Sequence, residues 1–319
     1  MCGAGSRGDA GKCGAANGAN AIDREADYVA EPHCAPAPDA DSCRSVLTDM
    51  TADETTNDPR AIRAAIRAAS HRGNTVGLAP DYVQTNVVIV PSDCADDMAD
   101  LCARNPVPCA LVEVLAPGQF EPECAKGADI RTDVPSYRVY RKGLLLEKRT
   151  DVVDLWHQDF VTFLIGCSFT FEYALTQAGF ALRHHVEGKN VPMYRTSLRL
   201  MPAGRLWGHM VVSMRPFKPE DVDTVREVTR PYRAAHGEPI HWGDPESIGI
   251  RRLDRPDEGD AVTVDRGEVP VFWGCGVTPQ NVAIESRIPY VIVHEPGHMF
   301  VTDLRHEDLA AQTPIARSR

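Results

Sequence analysis

Apolar and polar positions recur along this chain with changing period, and the changes divide it into segments. From Asp58 onward, Pro59-Arg60-Ala61-Ile62-Arg63-Ala64-Ala65-Ile66 repeats its apolar residues at helical spacing. Asp58 suits the cap and Pro59 the first turn, so a helix is predicted here. Asn86-Val87-Val88-Ile89-Val90 is β-branched and predicts a strand. Cys94, Met98, Leu101 and Cys102 then share one face of a short helix, and residues 110–115 predict a second strand. Strand, helix and strand at this spacing indicate a parallel α/β unit.

The middle of the chain has another rhythm. Residues 137–141 and 144–147 flank Lys142-Gly143, which predicts a hairpin. Helices are predicted over 152–165 and over 169–178, the second stopped by Gly179. Strands over 193–197 and 210–214 follow. The last third returns to alternation: a helix opens at Pro219 and reaches Ala235, residues 269–273 form a strand, and Thr278-Pro279 opens a further helix. The expected fold class is α/β in two domains. A three-layer α/β/α domain, 58–115 plus 217–305, carries an inserted smaller two-layer α+β domain, 116–216. Residues 1–57, rich in Cys, Gly and Ala with little periodicity, are expected to be a disordered tail, and 306–319 a second tail.

Composition narrows the function. A chain of 319 residues that is 43% hydrophobic can bury a core. A net charge of −11 argues against nucleic acid or an anionic membrane as partner. No stretch approaches a membrane span and no apolar leader is visible, so a cytoplasmic protein is expected, with homo-oligomerisation left open. Ten cysteines include Cys2, Cys13, Cys34 and Cys43 in the tail, without a C-x-x-C pair, so no zinc site is expected there. The other six read as free buried thiols. Gly3-Ala4-Gly5-Ser6-Arg7-Gly8 matches a dinucleotide fingerprint but follows no strand, and no P-loop is present.

His294-Glu295-Pro296-Gly297-His298 matches the zinc-protease pattern H-E-x-x-H. That chemistry requires a helix, which Pro296 and Gly297 oppose. The preceding Tyr290-Val291-Ile292-Val293 reads as a strand, so the histidines belong to a strand end and a turn. Gly274-Cys275-Gly276-Val277-Thr278-Pro279 joins a strand end to a helix start, where open sheets bind ligands and free N–H groups favour anions. Spacing alone does not separate an anion pocket from an ordinary turn. Arg131, Arg195 and Arg215 stand in or beside apolar strings and need a carboxylate, either internal or from a substrate. Cys167 and Ser168 lie among apolar residues and read as structural, and His184-His185 as a solvated pair before a loop.

Several blocks together resemble a known family. They are Leu78-Ala79-Pro80, Asp129-Ile130-Arg131-Thr132-Asp133-Val134-Pro135, Phe163-Leu164-Ile165-Gly166-Cys167-Ser168-Phe169 and Asn190-Val191-Pro192-Met193-Tyr194-Arg195-Thr196. Val211-Val212-Ser213-Met214-Arg215-Pro216, Gly243-Asp244-Pro245, residues 270–280 and Pro296-Gly297-His298-Met299 continue the series. Over residues 59–304 the chain resembles the hydro-lyase family whose characterised branch is the D-glutamate cyclase. The resemblance implies a two-domain α/β protein that removes water from D-glutamate to give 5-oxo-D-proline; a hydro-lyase or cyclase acting on another small carboxylic acid and a non-catalytic small-carboxylate binding protein are the alternative readings. The chain departs from the family pattern at Ser197-Leu198-Arg199-Leu200, at Gly73-Asn74 and at Glu295.

Lactam formation needs a neutral amine, a polarised carboxyl, a site for an oxyanion and a route for hydroxide to leave as water. His294, His298 and Asp244 are the expected acid–base groups, with Cys275 as a further catalytic candidate. Arg131, Arg195, Thr196, Arg215, Gly276, Thr278 and Gln280 are the expected contacts to a small anionic substrate. The residues fix no cofactor and leave open a divalent metal such as Mn²⁺ on the two histidines, which would polarise the carboxylate to the same end.

Overall fold

The computed structural model describes residues 57–310. The expected N-terminal tail, its dinucleotide-like string and its four cysteines lie outside the described residues. The core is built on β1 (Tyr82–Pro91), whose residues are buried at every position except the two ends. A continuous β-branched run with no alternation has to be covered on both faces, and it is. β5 (Phe160–Gly166) pairs with one edge of β1 from Thr85↔Gly166 to Pro91↔Phe160, and β2 (Leu111–Val114) pairs beyond it. The other edge of β1 is shared by two strands. β10 (Val291–His294) pairs at Val88 and Ile89, and β11 (Phe300–Arg305) pairs at residues 82–85. β3 (Tyr137–Arg141) lies beyond β10, and β4 (Leu144–Arg149) forms the far edge. A second sheet has the order β6 (Met193–Arg199), β7 (His209–Phe217), β9 (Val269–Gly274), β8 (His241–Trp242).

Both sheets are antiparallel throughout, which corrects the expected parallel unit. The reason is β5. Residues 152–165 were expected to be helical, yet 160–166 form a fully buried strand. Phe160-Val161-Thr162-Phe163-Leu164-Ile165 is apolar on both faces and so has no period to distinguish strand from helix; its β-branched and aromatic residues fit the pleat. Both β1 and β2 run antiparallel to β5, so they share a direction as the strand–helix–strand spacing suggested, but β5 occupies the slot between them.

Each sheet carries helices on one face and irregular chain on the other. α2 (Ala95–Arg104) and α6 (Thr278–Glu285) cover Val88, Val90, Phe163, Ile165 and Val293. Val87, Ile89, Leu164 and Ile292 point the other way, against Ala128, Ile130 and Val134 of the irregular segment. On the second sheet, α3 (Phe169–Gln177) and α5 (Val222–Thr229) pack on Phe217, Val271 and Trp273. Its opposite face buries Val212, Met214 and Phe272 against Ile248 and Ile250. The expected α/β/α layering is therefore not the arrangement of either sheet. The strands are also shared out differently: β3 and β4, expected in the inserted domain, join the sheet of β1, and β9 joins β6 and β7.

Local expectations fared better. α1 (Pro59–Arg67) is capped by Asp58, which accepts from the Arg60 N–H at 2.9 Å. The β3–β4 hairpin turns through Lys142 (φ 51°) and Gly143 (φ 80°), the left-handed pair that a tight hairpin needs. α5 is shorter than the helix expected to Ala235, because Pro231 cannot supply the next helical N–H. Residues 306–310, expected in a tail, form α7 (His306–Ala310). Among the described residues no helix is long and apolar enough to cross a membrane. Phe163 at the centre of the larger sheet is 0% exposed, whereas Leu144 on the edge strand is 72% exposed. Phe163→Ala should cost about 3–5 kcal/mol of stability, and Leu144→Ala about 0.5 kcal/mol or less, as read from urea unfolding midpoints.

Candidate active site

Two strand-to-helix turns meet beside β1. β5 ends at Gly166, and Cys167-Ser168 lead into α3. β9 ends at Gly274, and Cys275-Gly276-Val277 lead into α6. A Cβ at Gly276 would stand 2.0 Å from Asn86 Nδ2 and 2.6 Å from the Gly166 oxygen; a Cβ at Gly166 would stand 1.7 Å from the Ala234 oxygen. Glycine at both positions is what lets the turns interlock. Asn86, from β1, ties them by donating Nδ2 to the Ile165 and Gly166 oxygens at 3.3 and 2.9 Å.

Arg215 of β7 enters this junction and is fully buried. Its Nε donates to Glu172 Oε1 at 3.0 Å, Nη1 to Ser213 Oγ at 2.8 Å, and Nη2 to Ser168 Oγ at 2.8 Å and to Glu172 Oε1. Phe171 and Trp273 flank the guanidinium, with ring centroids 5.1 and 5.4 Å away. Glu172 sits one turn into α3, below Ser168, so helical spacing brings both to the same guanidinium. Burial alone would raise the Glu172 carboxyl, but His184 and Arg215 outweigh it and hold it well below the usual range. α4 (Arg183–Val186) brings two imidazoles to the same carboxylate: Nε2 of His184 lies 3.2 Å from Oε1, the oxygen that accepts from Arg215, and Nε2 of His185 lies 3.2 Å from Oε2.

His236 completes the junction. It adopts the left-handed backbone, φ 82°, which is unusual outside glycine, and is buried. Its Nδ1 is 2.8 Å from the Val107 oxygen. A carbonyl only accepts, so Nδ1 carries the proton and Nε2 presents its lone pair. That Nε2 is buried with no partner in hydrogen-bonding geometry, although the Gly166 carbonyl also lies close to the ring. Burial pushes the His236 pKa down to about 4, and the Arg215 charge adds to the effect.

Comparison with known proteins places this site in a family. A model of the D-glutamate cyclase family matches residues 161–303, a span that includes Glu172, His184, His185, Arg215, His236 and Gly276. A protein of Rubrobacter xylanophilus, named "Putative hydro-lyase", is 54% identical over 76% of this chain and 94% of its own length. Proteins of the same name from Stutzerimonas stutzeri and Jannaschia are 51% and 49% identical, over 79% and 82% of this chain and 95% and 98% of theirs. The chain belongs to the D-glutamate cyclase family.

The fold disperses several of the residues expected to act for this family member. Arg131 is turned onto Asp129 (2.9 and 2.7 Å) and lies 3.6 Å from the Phe120 ring centroid, so it has an internal carboxylate. Arg195 is half exposed beside Asp257, in an open cavity of about 210 Å³ with Arg251, Arg252 and Arg255. Thr196 donates to the Met210 oxygen at 2.8 Å and shapes a bulge in β6. Asp244 is exposed and caps the turn at Pro245 through the Glu246 N–H. Thr278, a good cap by residue type, does not cap α6. It is the first helical residue, and its Oγ1 exchanges hydrogen bonds with the Val211 N–H and oxygen at 3.0 and 3.2 Å. Gln280 is buried with Oε1 unpartnered. Burial pushes the Cys275 thiol up to about 11 and outweighs the Gly276 and Val277 amides, which pull it down, so it is no thiolate at neutral pH.

The H-E-x-x-H string is the expected strand end and turn. β10 and β11 run along the same edge of β1, and 295–299 is the excursion between them, with Gly297 at φ 85°. The Val87 N–H, left without a ladder partner at the gap, donates to His294 Nδ1 at 3.2 Å. His298 Nδ1 lies 3.3 Å from the Pro296 oxygen. Burial alone would raise Glu295, but Arg138 and Lys148 hold it at about 2, so it is no base for a protease. Glu172, the two adjacent histidines and His236 were not predicted as site residues. The signal that could have found them is a carboxylate in an otherwise apolar Phe169-Thr170-Phe171-Glu172-Tyr173 string.

His236 and His294, the latter also pushed down by burial to about 4, both lie below the ordinary 6.5. The unfolded chain therefore binds more protons between about pH 6.5 and 4. Stability is full above this window and falls as pH drops through it, by about 1.4 kcal/mol per pH unit for each group. His236→Asn keeps a residue that accepts the left-handed backbone and removes one of the two titrations. Unfolding midpoints measured from neutral pH to about pH 5 should fall less steeply in the variant than in the parent.

Proposed function

We propose that this chain closes D-glutamate to 5-oxo-D-proline. The α-amino nitrogen bonds to the γ-carboxyl carbon, one C–O bond of that carboxyl breaks, and water leaves; no electrons are exchanged. Membership of the family supports the reaction class. The observation that carries the reading into this fold is the buried Arg215–Glu172 pair at the interlocked turns, with a tautomer-fixed imidazole beside it.

Each need of the reaction has a group here. The ammonium must lose a proton before nitrogen can attack, and the Nε2 lone pair of His236 accepts it. Four of the five Arg215 N–H groups are engaged within the protein, which leaves one on Nη1 for a substrate carboxylate. The starts of α3 and α6 set backbone N–H groups at the junction, where they favour the oxyanion of the tetrahedral intermediate. Nitrogen sheds a second proton as it bonds to the γ-carbon, and the two protons leave with the departing carboxylate oxygen as water.

Proton NMR of D- and L-glutamate with the purified protein tests the reaction. The expected result is 5-oxoproline from the D isomer, with His236→Asn slower by about 10²–10⁴-fold at unchanged near-UV circular dichroism. If neither isomer yields 5-oxoproline, the proposal fails; if the variant keeps the parent rate, His236 is not the proton acceptor.

A further inference from the structure

The carboxylate that anchors Arg215 also faces two imidazoles. Nε2 of His184 and Nε2 of His185 each lie 3.2 Å from a Glu172 oxygen. His184 is 1% exposed, and its Nε2, although aimed at the carboxylate, has no hydrogen-bond partner in acceptable geometry. A neutral histidine buried with one nitrogen unsatisfied is costly. Two adjacent imidazoles presenting the same atom to one carboxylate have the donor types of a metal-ligand set. One ligand atom from each of Glu172, His184 and His185 falls within 4.8 Å of the others, and this is the one group of its kind among the described residues. Nε2 of His184 lies 3.2 Å from Glu172 Oε1 and Nε2 of His185 3.2 Å from Oε2, so each imidazole nitrogen stands beside a carboxylate oxygen at a spacing that two ligands of one ion can share.

We infer that Glu172, His184 and His185 hold a divalent transition-metal ion. Two imidazoles and one carboxylate suit Zn²⁺ and its neighbours better than Mg²⁺ or Ca²⁺, which prefer all-oxygen sites. Three protein ligands leave a fourth position open, the pattern of a reactive rather than a structural site. His185, 37% exposed at its side chain, is where the site reaches solvent. This places the metal away from His294 and His298, which have no third ligand atom grouped with them among the described residues.

The charges add a second feature. Glu172 and Arg215 cancel, so the metal brings two positive charges that the neighbouring side chains do not offset. On the reading of D-glutamate as substrate, its two carboxylates supply that balance once the amine is neutral. The ion and the dicarboxylate should therefore strengthen each other's binding, by the same factor in both directions.

The test uses the full chain without a polyhistidine tag, stripped with a chelator and titrated with Co²⁺ alone. The parent should develop visible d–d bands of tetrahedral Co²⁺, at lower Co²⁺ concentration when D-glutamate is present. His185→Ala removes a partly exposed ligand and leaves the tail cysteines intact, so it controls for binding there. It should weaken Co²⁺ binding by more than the ~10–100-fold that loss of an outer-shell partner costs. Absence of bands in the parent, or bands of equal strength and affinity in His185→Ala, overturns the metal site. Formation of 5-oxoproline is scored separately: Co²⁺ bands lost in the variant uphold the site even if D-glutamate is never converted, and conversion by protein that binds no Co²⁺ upholds the reaction while refuting the site.

Discussion

Removing the Arg215 charge from water is the constraint on which the rest of the site depends. An isolated buried guanidinium is prohibitive, so a carboxylate must meet it. Glu172 does so only because α3 begins where it does, one turn after Ser168. That start is set by the end of β5 at Gly166, and Gly166 is held against β1 by Asn86. The register of β7 against β9 then decides which face of the second sheet presents Arg215, with Arg215 opposite Val271 and Ser213 opposite Trp273. One ion pair therefore links the larger sheet, through β5 and α3, to the smaller one, through β7. Removing one partner of such a pair typically costs about 3–5 kcal/mol, whereas replacing both by packed apolar groups can cost nothing. The pair is thus better understood as fixing an arrangement than as supplying stability.

The two glycines serve the same end from the backbone side. At Gly166 and Gly276 the space that a side chain would fill already holds Ala234, Asn86 and Gly166 itself. The glycine-rich 274–279 string was expected to open the backbone to a ligand. Its glycine at 276 instead lets one turn of the protein lie against another. The closeness that suggests ligand binding in the sequence is here first an internal contact.

Short-range features were legible because they rest on local chemistry. The Asp58 cap, the Lys142-Gly143 hairpin and the turn at Pro296-Gly297 each depend on a few adjacent residues, and each formed as predicted. Sheet order did not follow, because β5 is apolar on both faces and its sequence carries no period. Misreading one strand converted an antiparallel sheet into a parallel one. The site was partly legible: Arg215 and Gly276 were singled out and meet at one junction. Glu172, His184 and His236 were missed, since a carboxylate's burial, an imidazole's aim and a left-handed backbone arise from tertiary contacts. Arg131 and Thr278 looked available for a ligand because their partners, Asp129 and Val211, could not be assigned from sequence alone.

The thiols give the fold a property of a different kind. All six cysteines among the described residues are free and buried, spread over Cys94, Cys102, Cys109, Cys124, Cys167 and Cys275. They sit in α2 and the turn that leads into it, in the loops around β2, and at the two interlocked turns. An alkylating reagent reaches each one only through an opening of the surrounding structure. The set is consequently an internal map of local breathing. Labelling under native conditions orders these regions by how often they expose themselves, and the Cys167–Cys275 junction records whether the site loosens before or with the rest of the molecule.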